Sequence, residues 1–375
     1  MDQPVTIGII GCGVIAPIHA ESYQRIPGVR VAWACDLVKA KAEALAQKFS
    51  VPSVTTDLRA VLDDPAVDGI SICTDHAGHA PIAADALAAG KHVLCEKALA
   101  ASTAGLDSMV EAQRRYPRLV FSGILQHRFD TINRCLKRLC DDGVLGTILT
   151  CSVRLDCLRE NEYYTADRWR GTWAREGGSA LINQAIHFID IAAWLMGGAV
   201  SVCGHWTNRA HQGVIETEDT AAASLRYVNG AVGTVEATTA NRVQQWEPLL
   251  RLAGAGGTIE IRNAVVTHVE LASPETTQRV RAELAACEET ERTFPGKSYY
   301  GTRHPTQIAD FVDAMRQGTP PFVTAEQARH CVDIALSVYE SQKTGKRIEI
   351  PNPKSEILNK CESNGKSKSK TKANS

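Results

Sequence analysis

Residues 5–36 of this chain read VTIGIIGCGVIAPIHAESYQRIPGVRVAWACD, and this stretch decides the fold of the first half. Val5–Ile10 is almost wholly apolar, as expected for a strand buried on both faces of a parallel sheet. A glycine turn and a helical stretch follow, then a second apolar run, Val29–Cys35, and Asp36 stands at its end. This order of strand, glycine turn, helix, strand and acid is the dinucleotide-binding fingerprint in its proper context.

The glycine turn has the features of a pyrophosphate site. Gly11 permits a tight turn, and Gly13 lacks a side chain, so a phosphate group can approach the backbone. Ala16 stands in place of the third glycine and still lets the helix pack closely on the strand. The helix begins around Val14 and Ile15, where its free N–H groups and positive dipole end can face the phosphates. An isolated glycine turn would be weak evidence, but the flanking strands favour the functional interpretation.

The acidic residue after the second strand indicates which dinucleotide binds. Asp36 can accept hydrogen bonds from the adenosine ribose hydroxyls. A carboxylate at this position also repels the additional phosphate of NADP, and Lys39 and Lys41 are near enough to weaken that repulsion. The sequence therefore predicts NAD as the cofactor, with NADP less favoured.

Length, composition and charge limit the other possibilities. A chain of 375 residues, of which 44% are hydrophobic, can form two domains with sizeable cores. The formal net charge of -1 gives no global field that attracts nucleic acid or an anionic membrane. No run of about 18 apolar residues is present, so no membrane span is expected. We therefore expect neither nucleic acid nor a membrane as a partner.

The cysteines indicate the compartment. The 12 cysteines are scattered singly, several inside apolar strands, without metal-ligand spacing or the pattern of a small secreted domain. The N-terminus enters the first strand at once and leaves no room for a signal peptide. These features predict reduced thiols in a cytoplasmic protein and no metal site.

Helices and buried strands continue to alternate as far as residue 124. This pattern predicts a doubly wound parallel sheet, and we assign residues 1–124 to a Rossmann domain. Ligands of such sheets bind beyond the carboxyl ends of the strands, where polar residues follow the predicted strands Gly69–Cys73, His92–Cys95 and Leu119–Gly123. The predicted cofactor contacts in these segments are Thr74, His76, His79, Glu96, Lys97 and Gln126.

The remainder of the chain has a different texture. Clustered β-type runs between residues 200 and 270 predict a large, mostly antiparallel sheet in an α+β domain of residues 125–350, which we assign to substrate binding. Two predicted helices, His304–Arg316 and Thr324–Lys343, close this domain. Residues 351–375 end in KSKSKTKANS and are predicted to be a disordered basic tail.

A long apolar helix predicted over Ser179–Met196 carries polar residues on one stripe. Asn183, His187, Asp190 and Trp194 share a face, because their spacings are close to whole helical turns. Buried polar groups must find partners, so His187 can be a core histidine with a structural aspartate one turn on. Alternatively it is a general acid or base, since the pKa of histidine lies near working pH.

Four stretches together resemble the Gfo/Idh/MocA oxidoreductases, the family of glucose–fructose oxidoreductase and inositol dehydrogenase. They are GIIGCGVIAPIHAESY, AGKHVLCEKALA, DRWRGTWAREGGSALINQAIHFIDIAAWLMGG, and HPTQIADFVDAMRQGTPPFVTAEQARHCVDIALSVYESQKTGK. The resemblance covers residues 5 to about 350. It implies an N-terminal Rossmann domain, a C-terminal α/β domain with an open sheet, and homodimers or homotetramers built from the faces of that sheet.

The resemblance also implies catalytic residues. Glu96 and Lys97 match the Glu-Lys-Pro motif of the family, and His187 matches its catalytic histidine. Ala98 replaces the proline of that motif, which usually shapes the turn presenting the lysine. Asn183 replaces an aspartate found in many inositol-dehydrogenase-like members, and it can orient the histidine ring but adds no charge. The proton acceptor can therefore be His187, or Lys97 with His187 in a positioning role.

This chemistry predicts hydride transfer from a carbon that bears a hydroxyl. Lys97 would bind that hydroxyl and stabilise the developing alkoxide, and His187 would take the proton. The predicted substrate is a sugar, a glycoside or nucleotide sugar, or a cyclitol. The alternatives are a glycosidase-like or lyase-like enzyme that retains NAD and a cofactor-sensing regulator without activity. The predicted substrate contacts besides Lys97 and His187 are Arg128, Trp169, Arg170, Asn183, Tyr299 and His304.

Overall fold

The first half of the chain forms a parallel sheet around its first strand. In the computed structural model, which describes residues 4–293 and 302–351, six strands pair in the order β3-β2-β1-β4-β5-β6. They are β1 Val5–Ile10, β2 Val29–Cys35, β3 Ser53–Thr55, β4 Gly69–Ile72, β5 His92–Cys95 and β6 Phe121–Gly123. Every residue of β1 is buried, and the strand order reverses between β1 and β4. A ligand crevice lies at such a reversal.

Helices connect these strands and begin or end at capping residues. They are α1 Ala16–Gln24, α2 Lys39–Phe49, α3 Leu58–Leu62, α4 His76–Ala88 and α5 Thr103–Arg115. The Asp75 carboxylate accepts a hydrogen bond from the Gly78 N–H and caps α4. Because Asp75 directly follows the loop after β4, its cap fixes the first residues of α4 at the carboxyl edge of the sheet. The prediction of a Rossmann fold is confirmed.

The second half contains an eight-stranded sheet in the order β13-β12-β11-β7-β10-β9-β8-β14. Its strands are β7 Ile148–Asp156, β8 Ala199–Thr207, β9 Thr220–Tyr227, β10 Val232–Thr238, β11 Glu247–Gly254, β12 Gly257–Arg262, β13 Val265–Leu271 and β14 Ile348–Glu349. All neighbours pair antiparallel except β7 and β10, which run parallel. The predicted mostly antiparallel sheet is therefore confirmed, while the residue numbers proposed for the domain bounds and the tail stay predictions.

Helices pack against this sheet and against the first domain. They are α6 Thr131–Asp141, α7 Asn161–Thr165, α8 Ile186–Met196, α9 Pro274–Thr293, α10 His304–Gln317 and α11 Ala325–Thr344. The sequence pattern does not indicate α9, because only a narrow face of this helix is apolar. Val280 and Leu284 are fully buried on that face, and most of the other residues are polar or charged.

The predicted continuous α-helix over Ser179–Met196 is wrong in its first turns. Ala180–Ala185 form a π-helix, and α8 begins only at Ile186. The buried Glu218 carboxylate accepts hydrogen bonds from the N–H groups of Ser179 and Leu181, so this end of the helix is held by a neighbouring segment. Short π-helical turns are frequent at functional sites.

Two further expectations concern the membrane and the thiols. Among the helices of the described residues, none has both the length and the apolar character needed to cross a bilayer. The 11 cysteines within residues 4–293 and 302–351 are free thiols, and most of them are buried.

Candidate active site

A cavity of about 1640 Å³ lies at the carboxyl ends of β1, β4 and β5 and extends to the second sheet. One wall comes from the glycine turn and Asp36, and the other from the loop after β5, the π-helix and α8. The predicted site residues that line it are Gly11, Gly13, Val14, Ile15, Asp36, Thr74, His76, Glu96, Lys97, Gln126, Trp169, Arg170, Asn183, His187 and His304. The topology therefore brings most of the predicted residues together.

The glycine turn has the shape that a dinucleotide requires. Gly11 has φ of +87°, and a Cβ atom there would lie 2.7 Å from the carbonyl group of Cys73, so no other residue fits without movement. A Cβ atom at Gly13 would meet nothing within 4 Å, which leaves open space beside the backbone. The Asp36 carboxylate accepts hydrogen bonds from the N–H groups of Cys12 at 2.7 Å and Val38 at 2.8 Å. These residues fit NAD, with Asp36 fixed where a ribose would bind.

Two histidines of α4 differ in position. His76 lines the cavity, and its ring packs against Trp169 with centroids 5.1 Å apart. His79 does not line the cavity, because both of its ring nitrogens face backbone carbonyls, that of Ala98 at 2.8 Å and that of Thr74 at 3.2 Å. We therefore withdraw the prediction that His79 contacts the cofactor. It supports the loops after β4 and β5, which line the cavity.

Glu96 is the centre of a buried polar cluster. Its Oε1 atom is 2.8 Å from Nε2 of His19 and 3.3 Å from Nε2 of His304. Burial alone would raise the pKa of Glu96, but hydrogen bonds from the two histidines outweigh it and hold the pKa well below its usual value. Sequence reasoning missed His19, although a polar residue on the otherwise apolar face of α1 was a usable signal.

The same cluster has the spacing of a metal site. The ligand atoms of His19, Glu96 and His304 lie within 4.8 Å of one another. Hydrogen bonds nevertheless account for this spacing. Ser71 Oγ, 2.7 Å from the Tyr23 hydroxyl, can donate to His19 Nδ1 at 3.1 Å, which leaves the Nε2 proton of His19 for Glu96. We therefore interpret the cluster as a hydrogen-bonded anchor for the carboxylate next to Lys97.

Lys97 points from this anchor across the cavity to the π-helix. Its Nζ atom donates to the backbone carbonyl of Asn183 at 2.8 Å and to the Asn183 side-chain Oδ1 at 2.7 Å. The peptide bond between Lys97 and Ala98 is cis. Burial lowers the pKa of Lys97 to about 8, and the nearby carboxylates of Glu96 and Glu176 oppose that shift. An ammonium has three donors, so one N–H of Lys97 remains for a ligand in the cavity.

Asn183 contacts Lys97 and not His187. Its Oδ1 accepts from Lys97, and its Nδ2 donates to the carboxylate of the buried Glu176. The expectation that Asn183 orients the ring of His187 is therefore wrong. The π-helical turn between the two residues changes the stripe that was predicted for a continuous α-helix.

His187 lies beside Gln126 and His127. Its Nε2 atom is 3.4 Å from the Gln126 side-chain nitrogen, and its ring meets the His127 ring edge-on at 4.9 Å. Within the described part of the chain, the Nδ1 atom has no hydrogen-bond partner. Burial, assisted by the nearby charges of His127 and Lys97, lowers the pKa of His187 well below its usual value. The ring is therefore neutral near pH 7 and able to accept a proton.

Arg128 is placed differently from the prediction. Its guanidinium makes two hydrogen bonds to the Asp190 carboxylate, at 2.6 Å and 2.8 Å, and lies over the ring of Trp194. Both charged groups are buried, and Arg128 does not line the cavity. Asp190 of the predicted stripe therefore forms a structural ion pair with Arg128, and Trp194 of the same stripe packs against the guanidinium. We withdraw Arg128 as a substrate contact.

A cationic and aromatic region lines the outer part of the cavity. Arg170 bonds to the Tyr163 carbonyl at 3.0 Å and lies 4.2 Å from the centre of the Tyr163 ring. Arg159 lies 4.4 Å from the same ring and 4.7 Å from that of Trp246. Sequence reasoning missed Arg159, Tyr163 and Trp246, since they belong to unpatterned loops or a short helix. The predicted contact Tyr299 lies outside the described residues.

Two family models match the chain. A model described as the NAD-binding Rossmann fold of an oxidoreductase family matches residues 5–124. A second, described as the C-terminal alpha/beta domain of an oxidoreductase family, matches residues 137–350. Both halves of the chain are therefore covered.

Individual relatives extend this similarity over nearly the full length. The chain is 24% identical to the myo-inositol 2-dehydrogenase of Thermotoga maritima, over 92% of this chain and 98% of the relative. It is 25% identical to the D-glucoside 3-dehydrogenase of Escherichia coli, over 93% and 98%. It matches the crystal structure of the WlbA dehydrogenase from Bordetella pertussis in complex with NADH and UDP-GlcNAcA. The TM-score is 0.84, with 25% identity over 94% of this chain and 99% of that one. The similarity therefore reaches well beyond the dinucleotide fingerprint.

Proposed function

The chain belongs to the Gfo/Idh/MocA family of NAD-dependent oxidoreductases acting on CH–OH groups, and we propose that it oxidises a secondary hydroxyl of a sugar, a sugar derivative or a cyclitol. The nicotinamide, when bound, accepts hydride from the carbon that bears the hydroxyl, and the product is a ketone. One observation carries this proposal. The side chains of Lys97 and His187 converge in the cavity that begins at the glycine turn and Asp36.

Lys97 is the residue proposed to bind the reacting hydroxyl. Two of its N–H groups are directed to Asn183, so the third can donate to the substrate oxygen. A cation held there stabilises the negative charge that develops on that oxygen as hydride leaves. Because Asn183 fixes the ammonium before substrate binds, little reorganisation is needed during the reaction.

His187 is the proposed proton acceptor. Its ring is neutral near pH 7, because burial and nearby cations keep its pKa well below the ordinary value. The alternative is Lys97 itself, whose pKa of about 8 leaves a fraction of neutral amine near pH 7. We assign the proton to His187, since Lys97 is held as a donor by two oxygen acceptors.

The outer region supports a polyhydroxylated substrate that carries a second group. Trp169 offers an aromatic surface for a sugar ring, and Arg159 and Arg170, which pack on the Tyr163 ring, offer donors for hydroxyls. The positive charge of Arg159 also suits a carboxylate or phosphate, whereas Arg170 forms an ion pair with Asp167. For this reason we include glycosides and nucleotide sugars in the proposed class.

The open sheet is the proposed oligomer interface. Val232 of β10 pairs with Thr150 of β7, alternates with the buried residues Gly233 and Val235, and is 52% exposed on the outer face of the sheet. Apolar residues at such positions suit a contact between copies of the chain. Light scattering of the purified protein is expected to give the mass of a dimer or a tetramer, and a monomer at micromolar concentration would contradict this proposal.

A substrate screen tests the proposed function. The purified protein with NAD is mixed with monosaccharides, inositols, glycosides and nucleotide sugars, and the absorbance band of NADH is followed. We expect stoichiometric NADH with one of these classes, and formation of NADH that is about 10²–10³-fold slower with Lys97→Met. The matched control is Lys343→Met, which removes a lysine that is 79% exposed. Bond cleavage without net NADH would favour the NAD-retaining glycosidase or lyase chemistry, and no reaction with any class would contradict the proposal.

A further inference from the structure

Glu176 is a buried carboxylate that lies outside the Glu-Lys-Pro motif and does not line the cavity. It is fully buried, and its carboxylate accepts hydrogen bonds from the backbone N–H of Gly171 and from the side-chain amide of Asn183. Burial raises its pKa to about 7, and these hydrogen bonds oppose the shift. Burial of an ionised carboxylate costs free energy unless the group is paired and hydrogen-bonded, so the partners of Glu176 indicate its role.

The amide of Asn183 is held between Glu176 and Lys97. Lys97 has only donors, so it requires the oxygen of the amide, whereas an ionised carboxylate has only acceptors and requires the nitrogen. Both neighbours therefore impose the same orientation on Asn183. The position of the Lys97 ammonium therefore depends on that of Glu176, because the Asn183 amide is hydrogen-bonded to both.

The loop that carries Glu176 is itself fixed. The carbonyl of Glu176 faces Nδ1 of His76 at 2.7 Å. Gly177 has φ of +81°, and a Cβ atom there would lie 2.3 Å from the carbonyl oxygen of Ala101. Only glycine allows this close approach between the loop and the segment that follows Lys97. The carboxylate is thereby held at a set distance from the catalytic lysine.

The charge of Glu176 also matters, because Asn183 supplies none. Lys97 stands in a mixed field, in which carboxylates favour its protonated form and cations disfavour it. The titratable and charged groups that interact electrostatically with Lys97 are Glu96, Glu176, Arg159, Arg170, His76 and His187. Glu96, which two histidines share, is the stronger of the two carboxylates, and Glu176 adds a second carboxylate that is joined to Asn183 of the π-helix.

We propose that Glu176 is a positioning residue which, through Asn183, orients the Lys97 ammonium and adds its negative charge to that of Glu96, so that Lys97 stays protonated. This inference rests on the proposed role of Lys97 in binding the reacting hydroxyl. Glu176 itself does not line the cavity, so it acts on catalysis only through its two partners.

The titration of Lys97 tests the inference without turnover. Only the neutral amine reacts with an acylating or arylating reagent, so the rate of modification of Lys97 against pH, followed by peptide mass spectrometry, reports its protonation. The parent protein is expected to titrate at about pH 8. Glu176→Gln should titrate about one pH unit lower, because the opposite charge is gone while the shape is kept.

A relocation of the charge separates this role from simple packing. The double variant Glu176→Gln/Asn183→Asp exchanges the amide and the carboxylate between the two positions. It is expected to return the titration of Lys97 to pH 8 or above. If Glu176→Gln does not fold, this double variant is compared with the parent directly, and a titration below that of the parent would overturn the inference.

The control is Glu216→Gln. Glu216 is exposed and accepts a hydrogen bond from the N–H of Trp173 in the same loop, but it does not contact Asn183. Its variant should titrate like the parent. Equal titration of Lys97 in the parent and in Glu176→Gln would overturn the proposed charge effect. Because these readouts need no substrate, a failure of the proposed function in the sugar screen is distinguishable from a failure here.

With a substrate in hand, kcat, KM and NAD affinity give the second readout. Glu176→Gln should lower kcat and move the Lys97 limb of the pH–rate profile downward, with the dissociation constant of NAD within twofold of the parent. Glu176→Asp keeps the charge but retracts it by one methylene, so it should lower kcat with a smaller shift of that limb. An unchanged kcat and limb in both variants would contradict the inference.

Discussion

The two walls of the cavity present different parts of the chain. The cofactor wall presents backbone, since Gly11 and Gly13 have no side chains and Asp36 is fixed by two backbone N–H groups. The opposite wall, which we propose as the catalytic wall, presents side chains, and the contact of Lys97 with Asn183 joins residues 86 positions apart. A substitution on the catalytic wall should therefore change the reaction rate, whereas a substitution on the cofactor wall should change the space that is available to the cofactor.

The largest effect is expected from His187→Asn. Asparagine fills similar space but cannot accept the proton, and loss of a general base typically lowers kcat about 10²–10⁴-fold. NAD affinity, measured by calorimetry, should be unchanged because the ring is on the catalytic wall. Near-normal turnover would make His187 a structural histidine and leave Lys97 as the first candidate for the base.

Lys97→Met is expected to lower kcat about 10²–10³-fold, the usual result of removing one donor to a developing oxyanion. Methionine keeps the length of the side chain and removes the charge. The dissociation constant of NAD should stay within a fewfold of the parent, which calorimetry can check. A large loss of NAD binding with normal kcat would place Lys97 on the cofactor wall.

The preference for NAD tests Asp36. A phosphate about 4 Å from the carboxylate costs up to roughly 4 kcal/mol per unit-charge pair at an effective dielectric of 20, and Lys41 on the cavity lining reduces this. We expect NADP to bind at least about tenfold more weakly than NAD. Asp36→Asn should narrow the gap. Equal or tighter binding of NADP to the parent protein, measured by calorimetry, would refute the prediction.

Gly13→Val and Gly11→Val form a matched pair for the cofactor wall. Valine at Gly13 enters open space, so the free energy of unfolding should change by less than about 1 kcal/mol while NAD binds roughly tenfold more weakly or worse. Valine at Gly11 meets the carbonyl of Cys73 and should destabilise the fold. Thermal denaturation and calorimetry separate the outcomes, and unchanged NAD binding in Gly13→Val would show that the turn is not the phosphate site.

The smallest effect is the pH dependence of the parent enzyme, which distinguishes the roles of the two catalytic residues. If Lys97 acts as a cation, kcat/KM should fall as pH rises through about 8, where its ammonium loses its proton. If Lys97 acts as the base, kcat/KM should instead rise through the same pH. His187 should add no acid limb above pH 6.5, because its pKa lies well below that value.

The same difference explains what the sequence could predict. The glycine turn and Asp36 could be predicted from one stretch of about 30 residues, because a site built from backbone needs particular residue types at fixed, short spacings. Strand ends located Thr74, His76, Lys97 and Gln126 at the cavity, since parallel strands present their carboxyl ends at one edge. Topology alone placed them there.

Side-chain partners could not be read in this way. The pairs Arg128–Asp190 and Asn183–Glu176 depend on where loops and helices meet, and both were missed. The π-helical turn before Ile186 altered the stripe on which Asn183 and His187 were compared. A continuous α-helix was the natural prediction from an apolar run, because periodicity does not report a local widening of the helix.

The long connection between β7 and β8 has a consequence for how this domain can diverge. The chain leaves the sheet at Asp156, where β7 ends, and returns at Ala199, where β8 begins, so residues 157–198 form one excursion. Arg159, Glu176 and His187 all lie within it. Its loops can lengthen or exchange without disturbing the strand order of the sheet, because residues 157–198 contribute no strand to it. Substitutions and insertions in one continuous segment could thus change the substrate preference, while the glycine turn and Lys97 stay unchanged.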